Sequence, residues 1–257
     1  MSASSKILTV DHVVMQFGGL FALNDVSFDI ERGEVHALIG PNGSGKTTMF
    51  NVISHVLEPT SGEVFLDGQS LKKTKKNVIN RLGIARTFQH VSLFTNMTVH
   101  ENVMCGRYSN THEGIVGAIF KTHAERQEEE AIRERAMEEL RFVGLDDVAD
   151  TKAKKLPYGD QRLLEIARAL ASDPKLLMLD EPAAGMNPSE KEHLGNLIRQ
   201  VQKKGISVLI IEHDMKLAMS ISQNVTVLDH GIKIAEGTPA QIQNNDKVIE
   251  AYLGKKV

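Results

Sequence analysis

The sequence has 257 residues, 41% of them hydrophobic, which is enough to bury a large core in one α/β domain or in a main domain with a subdomain. Its 30 Lys and Arg residues against 33 Asp and Glu residues give a formal net charge of −3, which argues against nucleic acid as a partner. The only cysteine, Cys105, excludes an internal disulfide, and no apolar stretch approaches the roughly 20 residues of a membrane helix.

The first quarter of the chain shows the alternation of apolar and polar residues that predicts β-strands. Lys46 opens a predicted helix, which follows an apolar run that ends at glycine. The predicted elements, in chain order, are strands at 7–14, 26–30 and 34–39, a helix from 46 to about 56, and a strand at 63–66. They indicate an antiparallel meander packed beside a parallel core.

Helix-forming residues dominate the middle of the chain, where residues 91–171 are predicted to form a mainly helical subdomain with a long helix at 124–143. Strands at 175–179, 207–211, 225–228 and 232–236 then alternate with helices at 189–204 and from Asp214. Ser189 and Glu192 have the spacing of a capping box at the start of one helix. This alternation predicts a mostly parallel sheet that binds its ligand at the carboxyl ends of its strands.

The strongest motif lies between the predicted strand at 34–39 and the helix from Lys46. It reads G-x-x-x-x-G-K-T, the pattern of a loop whose backbone N–H groups surround phosphate oxygens. The Lys46 ammonium would contact the β- and γ-phosphates, and the Thr47 hydroxyl would bind Mg²⁺. The residues predicted to bind nucleotide here are Gly40, Pro41, Asn42, Gly43, Ser44, Gly45, Lys46, Thr47 and Thr48.

Two adjacent carboxylates follow four apolar residues at 176–179. Asp180 is placed to hold Mg²⁺, and Glu181 is placed to orient and deprotonate an attacking water. Many ordinary strands end in an acidic residue, so this pattern gains its meaning from the phosphate-binding loop upstream. Together the two motifs predict a site that binds and hydrolyses a nucleotide.

A short turn at residues 156–162, Leu-Pro-Tyr-Gly-Asp-Gln-Arg, precedes a predicted helix with one apolar face. In a chain with a phosphate-binding loop, this turn resembles the signature motif of ABC ATPase cassettes. The resemblance implies an α/β fold with a P-loop NTPase core of mostly parallel sheet, an antiparallel β meander and a helical signature subdomain. It implies one cassette over residues 1–257, in which 1–90 and 172–257 form the nucleotide-binding core and 91–171 the helical subdomain.

The same resemblance implies that the signature turn contacts ATP held by the phosphate-binding loop of a second subunit. Pro157 stands where many cassettes have Ser, so these contacts would depend on backbone groups and on the helix N-terminus. A loop at 184–187 resembles one that contacts the partner subunit. The residues implied to contact ATP from the turn are Tyr158, Gly159, Asp160 and Gln161.

Three further residues fall in the order that the family shows. Phe17 resembles the aromatic residue that stacks on adenine, and Gln89 resembles the glutamine that senses Mg²⁺ and the attacking water. His213 resembles the histidine whose ring reaches the γ-phosphate. The resemblance therefore implies catalytic roles for Glu181, His213 and Gln89, and Mg²⁺ binding by Thr47, Gln89 and Asp180.

Within the family, the sequence is most similar to importer ATPases that serve branched-chain amino acids. It shares Tyr-Gly-Asp-Gln-Arg at 158–162, Glu-Pro-Ala-Ala-Gly at 181–185 and Ala-Tyr-Leu-Gly at 251–254. The likeness implies a peripheral ATPase at the cytoplasmic face of the inner membrane, which uses ATP and Mg²⁺ to drive separate permease subunits and indirectly serves a solute-binding protein. Its partner cassette would be a second copy or a relative, and the segment 90–104, a predicted loop, would face the permease.

Other functions stay open at this point. A lipid or lipopolysaccharide exporter uses closely similar single cassettes. Soluble ABC ATPases act on nucleic acid or ribosomes, but they usually carry coiled-coil insertions or fused cassettes, which this sequence lacks. A P-loop kinase would leave the signature turn and His213 without a role. The motifs describe a motor subunit and do not encode the transported substrate.

Overall fold

In a computed structural model, which describes residues 5–75, 78–89, 91–108 and 123–253, the chain forms two β-sheets flanked by helices. The strands are β1 (Lys6–Phe17), β2 (Leu20–Glu31), β3 (Val35–Ile39), β4 (Ser61–Leu66), β5 (Gln69–Ser70), β6 (Ile84–Arg86), β7 (Leu176–Asp180), β8 (Ser207–Ile211), β9 (Asn224–Asp229) and β10 (Ile232–Gly237). The helices are α1 (Lys46–Ile53), α2 (Ile79–Leu82), α3 (Val99–Tyr108), α4 (His123–Val143), α5 (Tyr158–Leu170), α6 (Pro188–Lys203), α7 (Met215–Ile221), α8 (Pro239–Gln243) and α9 (Asp246–Leu253). Within the described ranges, no helix has both the length and the apolar character that crossing a bilayer requires.

The larger sheet has the strand order β10-β9-β3-β8-β7-β6 and is parallel from β9 to β6, with β10 antiparallel at one edge. Strands β3, β7 and β8 are buried at every position, which accounts for their largely apolar sequences. Because parallel strands end at the same edge, the segments that follow β3, β6, β7 and β8 meet there. The predicted α/β fold with a mostly parallel sheet is confirmed.

The smaller sheet is antiparallel, with the order β2-β1-β4-β5, and corresponds to the predicted meander. Helix α1 is packed between the two sheets. Its Phe50 and Met49 share an apolar cluster with Leu8 of β1 and with Leu38 and Leu209 of the larger sheet. The helix that carries the phosphate-binding motif is therefore fixed by apolar contacts on both sides.

Helices α3, α4 and α5 lie in the chain between β6 and β7, where a mainly helical segment was predicted. Ile132, Ala136 and Leu140 of α4 are buried at a spacing of four residues, the spacing of one helix face. They belong to the same apolar cluster as Leu177 and Leu179 of β7. The helical segment therefore shares its core with the face of the larger sheet opposite α1.

One predicted helix start was wrong. Helix α6 begins at Pro188, and its capping box is formed by Asn187 and Glu190 instead of Ser189 and Glu192. The Asn187 side chain accepts a hydrogen bond from the Glu190 N–H at 3.0 Å, and the Glu190 carboxylate accepts one from the Asn187 N–H at 2.7 Å. Proline at the first helical position pre-sets the helical backbone, so the cap precedes it.

The segment 90–104 is only partly a loop, because α3 begins at Val99. Thr98 and Glu101 exchange side-chain and backbone hydrogen bonds at 2.7 and 3.1 Å, which is a capping box that the sequence analysis did not use. His90 and Gly254, which fall in segments singled out above, lie outside the described residues. Strand β6 and helices α8 and α9 were not predicted.

Candidate active site

The loop between β3 and α1 closes around the side chain of Lys46. Its Nζ donates hydrogen bonds to the carbonyl oxygens of Gly40 and Pro41, both at 2.8 Å, and the residue is 6% exposed. Burial lowers the pKa of Lys46, and the carboxylates of Glu181 and Asp180 oppose that shift. The loop therefore holds an ammonium group close to both acidic residues at the end of β7.

Glycine is required in this loop by close contacts with neighbouring strands. A Cβ at Gly40 would lie 2.0 Å from the Leu228 carbonyl oxygen, and one at Gly45 would lie 2.7 Å from the Ala22 carbonyl oxygen. Among the described residues no side chain caps α1, which begins directly after Gly45 (φ 103°). Its first N–H groups are available to an anion, so the loop fits a phosphate group.

Asp180 ends β7 as a buried carboxylate, 3% exposed. Its Oδ2 accepts a hydrogen bond from Arg86 Nη2 at 2.9 Å. Burial raises the pKa of Asp180, and the Arg86 guanidinium opposes that shift. Arg86 was not among the predicted site residues, although it ends β6 beside β7, close to the end of the strand that carries Asp180.

Glu181 has a left-handed backbone conformation with φ 49°, held by a hydrogen bond of 2.9 Å from its N–H to the Ile211 carbonyl oxygen. Its Oε1 lies 2.8 Å from His213 Nε2, and its Oε2 accepts a hydrogen bond from Gln89 Nε2 at 3.3 Å. The structure thus brings the predicted catalytic residues together from segments that follow β6, β7 and β8. A carboxylate held in this way can accept a proton from water.

The predicted Mg²⁺ ligands supply oxygen atoms, which is the donor type that Mg²⁺ prefers. They are the hydroxyl of Thr47, exposed on the first turn of α1, the Asp180 carboxylate and the Gln89 amide. In the described part of the chain, no group of three or more His, Cys, Asp or Glu side chains could hold a metal ion by itself. A bound Mg²⁺ would therefore complete its ligands with water and phosphate oxygens, as it commonly does.

Phe17 ends β1, and the residue is 49% exposed. The β1–β2 hairpin lies against the phosphate-binding loop, because β2 contributes the Ala22 carbonyl that faces Gly45. The Asn24 N–H also donates to the Gly231 carbonyl at 2.8 Å, and the Gly231 N–H donates to the Ser44 carbonyl at 3.1 Å. Phe17 therefore lies on a hairpin attached to the loop, with its ring accessible to a stacking partner.

The signature turn forms the first turn of α5. Tyr158 is 44% exposed, and a Cβ at Gly159 would lie 2.8 Å from Glu190 Oε1. Gln161 Nε2 donates to the Leu156 carbonyl at 2.9 Å, and Pro157 is the N-cap. No hydrogen bond or ion pair between described residues joins residues 158–161 to residues 40–48. The turn packs against Gly185 and Glu190, whereas the phosphate-binding loop packs against β2 and β9, so within one chain the two make separate sets of contacts.

Two other buried charged residues shape the site and were missed by the sequence analysis. Arg162 Nη1 donates to the Phe88 carbonyl at 2.9 Å, and Arg162 Nη2 donates to the Gln89 carbonyl. Glu212 Oε1 accepts from the Ala183 N–H at 2.8 Å, and burial raises the pKa of Glu212. Both fix backbone next to predicted catalytic residues. For Glu212 the available signal was a charged residue directly after the apolar run of β8.

Comparisons with known proteins place this chain in a family. Residues 23–184 match the ABC transporter family, and residues 233–257 match the family described as branched-chain amino acid ATP-binding cassette transporter. The chain is 44% identical to the high-affinity branched-chain amino acid transport ATP-binding protein LivG of Escherichia coli strain K12, over 98% of this chain and 99% of that protein. BraF of Pseudomonas aeruginosa, which has the same descriptive name, gives the same values.

Two solved structures of ATP-binding cassettes have folds similar to this chain. The ADP conformation of the ATP-binding cassette MJ1267 has a TM-score of 0.85 and 34% identity, covering 98% of this chain and all 100% of that chain. A dimeric post-hydrolysis state of the cassette MJ0796, bound to ADP and Pi, has a TM-score of 0.76 and 26% identity, covering 90% of this chain and 98% of that chain.

Proposed function

Because this chain belongs to the ABC transporter family, we propose that it is the ATP-hydrolysing subunit of an importer for branched-chain amino acids. The observation that carries the ATPase function is the contact of Glu181 with both His213 and Gln89 beside the Lys46 loop. The names of LivG and BraF, and the match of residues 233–257, support the importer and its substrate class over lipid export or action on nucleic acid.

In this proposal the phosphate-binding loop holds ATP through its N–H groups and Lys46, and the Phe17 ring stacks on adenine. Thr47, Asp180 and Gln89 would hold Mg²⁺, which would supply positive charge to the phosphates. The exposed side of the loop and its uncapped helix support this assignment. The nucleotide-binding residues are those of the loop, Gly40, Pro41, Asn42, Gly43, Ser44, Gly45, Lys46, Thr47 and Thr48.

Glu181 acts as the general base that takes a proton from the attacking water. His213 and Gln89 hold its two carboxylate oxygens, so they fix its orientation before ATP arrives. His213 is half-exposed, so its ring can also contact the γ-phosphate. The three side chains together provide the proton acceptor and the polar contacts that hydrolysis requires.

A second cassette, identical or related, completes each site. The separation of the signature turn from the phosphate-binding loop of its own chain supports this, as does the dimeric state reported for MJ0796. Tyr158, Gly159, Asp160 and Gln161 of one chain then contact ATP held by the other. Since Pro157 provides no hydroxyl or N–H donor, backbone N–H groups at the start of α5 make those contacts.

We assign residues 1–90 and 172–257 to the nucleotide-binding core and residues 91–171 to the helical subdomain. A groove of about 550 Å³ lies between the two, lined by Phe88, Phe94 and Cys105 among others. Phe88 and Phe94 are each about half-exposed, at 50% and 52%. An exposed apolar groove favours a protein partner. We assign this groove to the binding of a permease subunit, with the chain at the cytoplasmic face of the inner membrane. A solute-binding protein would then be an indirect partner, because it would contact the permease and not this chain.

The test is purification of the tagged chain from native membranes in mild detergent, with identification of co-purifying proteins and assay of ATP hydrolysis. We expect two permease-like proteins, a second cassette where the pair is mixed, and Mg²⁺-dependent hydrolysis that Lys46→Ala abolishes. Recovery of lipid-export components, or of soluble and nucleic-acid-binding proteins alone, contradicts the importer. Absence of hydrolysis in the recovered wild-type complex contradicts the ATPase.

A further inference from the structure

Arg86 is a buried cation that joins the end of β7 to α1. Its Nη2 donates to Asp180 Oδ2 at 2.9 Å, and its Nη1 donates to Asn51 Oδ1 at 2.7 Å and to Ser54 Oγ at 2.9 Å. The Arg86 side chain is 10% exposed and that of Asp180 is 4% exposed. The pair is therefore shielded from water, and its geometry is set by protein atoms.

Two aromatic rings lie close to this guanidinium. Its central carbon lies 5.5 Å from the ring centre of Phe50 and 5.5 Å from that of Phe88. Cation–aromatic contacts, one acceptor on α1 and one at its C-cap leave the guanidinium little freedom to turn away from Asp180. Helix α1 is itself fixed between the two sheets. Arg86 is thus held by the same helix that begins at the phosphate-binding loop.

Among the described residues, the side-chain hydrogen bonds to the Asp180 carboxylate involve Oδ2 and not Oδ1. A carboxylate with one oxygen held by a fixed donor cannot rotate freely, so its second oxygen has a defined direction. Loss of a group that orients a metal ligand in this way typically lowers metal affinity by about 10- to 100-fold.

We propose that Arg86 is a positioning residue for Mg²⁺: it holds Asp180 Oδ2 so that Oδ1 is presented to the metal. This inference rests on the proposed function, in which Asp180 is a Mg²⁺ ligand. If the ion pair were purely structural, its loss would lower the stability of the fold and would weaken nucleotide binding equally in the presence and in the absence of metal. A positioning residue changes the Mg²⁺ requirement while leaving metal-free nucleotide binding as it was.

The experiment compares the full chain with Arg86→Lys and Arg86→Gln. Lysine keeps the charge beside buried Asp180 but loses the planar fork that reaches Asp180 and α1 together, and glutamine loses the charge as well. Affinity for a fluorescent ATP analogue is measured without metal and across a Mg²⁺ titration, and Mn²⁺ binding to the nucleotide-loaded chain is followed by electron paramagnetic resonance. Arg32→Gln, which breaks an exposed ion pair with Asp67, is the matched control.

We expect metal-free nucleotide affinity to stay within about twofold of wild type, and the half-saturating Mg²⁺ concentration to rise by about tenfold or more in Arg86→Gln and by less in Arg86→Lys. In an Asp180→Asn background, Arg86→Gln should add no further change, because both substitutions then remove the same interaction. Arg32→Gln should leave the Mg²⁺ requirement unchanged.

An unchanged Mg²⁺ requirement in both Arg86 variants overturns the inference, as does an equal loss of nucleotide affinity with and without metal, or a full additional effect in Asp180→Asn. If Arg86→Gln does not fold, as thermal unfolding would show, Arg86→Lys alone decides. A wild-type chain that binds and hydrolyses ATP without any Mg²⁺ requirement would instead contradict the metal site in the proposed function.

Discussion

Glu181 combines an unusual backbone conformation with a constrained side chain. A φ of 49° is uncommon for a residue with a Cβ, and it persists only where surrounding contacts impose it. Here the Ile211 carbonyl fixes the backbone, while His213 and Gln89 fix the carboxylate. A conformation held from both ends at the edge of the sheet indicates a residue placed for chemistry.

At the residue scale, we expect Glu181→Gln to keep the size and shape of Glu181 but to lose the ability to accept a proton. ATP turnover should fall by at least roughly 100-fold while ATP affinity is retained. An ATP-bound dimer should then accumulate, which size-exclusion chromatography with light scattering detects. Lys46→Ala, which lacks the loop cation, should stay monomeric, and unchanged turnover in Glu181→Gln would refute its role as general base.

The residues that the sequence predicted belong to contiguous motifs or to single positions in the order of a known family. Lys46, Asp180 and Glu181 could be recognised because the surrounding residues define the chemistry. Arg86 could not be recognised from the sequence, because its partner Asp180 lies 94 positions away and only the pairing of β6 with β7 brings the two residues together. A three-residue strand such as β6 is too short for a hydrophobic period to show.

At the element scale, Asp214 caps α7 directly after His213. Its Oδ1 accepts a hydrogen bond from the Leu217 N–H at 3.1 Å, and its Oδ2 pairs with Lys191 Nζ at 2.7 Å. These contacts, with the Lys191 hydrogen bond foremost, hold the pKa of Asp214 below its ordinary value of 3.8. The charged form is thus favoured in the folded state, so its stabilising effect is present above about pH 3.8 and is lost as the pH falls through the lower folded pKa.

We expect Asp214→Ala to lower the free energy of unfolding by about 1 kcal/mol at pH 7, the usual contribution of an N-cap. The difference from wild type should be the same at pH 5 and should shrink below pH 3.8, the ordinary pKa of the group. Urea denaturation followed by circular dichroism at each pH measures it. The control is Asp150→Ala, at an exposed position outside the helices and strands, which should change the free energy of unfolding by less than about 0.5 kcal/mol. If the difference between Asp214→Ala and wild type stayed constant down to pH 3, the charged form of Asp214 would not be the source of its stabilising effect.

Helices and strands with strong periodicity were predicted, and their ends were less accurate. The start of α6 was misplaced because Ser189 and Glu192 satisfy the same spacing rule as Asn187 and Glu190, and only the position of Pro188 separates the two. The first part of α3 lies in the segment 90–104, which was predicted to be a loop within a mainly helical region, although Thr98 and Glu101 carry the helix cap. The spacing rules for helix caps were satisfied at more than one position, so they did not define the helix starts by themselves.

At the scale of the whole molecule, the permease groove can be tested at Phe94, which is 52% exposed and stacks near Arg168 at 5.9 Å. Phe94→Asp should weaken permease binding by on the order of 2 kcal/mol, as loss of an aromatic anchor does. ATP hydrolysis by the isolated chain should be unchanged. Co-purification and transport in reconstituted vesicles measure the effect, with Ile249→Asp, 40% exposed and outside the groove, as the control. Equal losses in both variants would show that the groove is not the docking face.

The sequence predicted a meander, a parallel core and a helical segment, but not how they are layered. The face of the sheet that each part covers depends on the alternation of side chains along β3, β7 and β8. Strands buried on both faces show no regular alternation of polar and apolar residues, so their sequences do not mark which face is which. The structure resolves this: Leu38 and Leu209 face α1, whereas Ala37 and Ile210 face the opposite cluster.

The separation of the signature turn from the phosphate-binding loop also governs the rate law of the isolated protein. If each ATP requires a loop from one chain and a turn from another, a dilute solution contains only half-sites. Hydrolysis then depends on encounters between chains, so its rate rises with the square of protein concentration until dimers saturate. Permeases that hold two cassettes side by side would remove that dependence, because they replace a diffusional encounter with a fixed effective concentration.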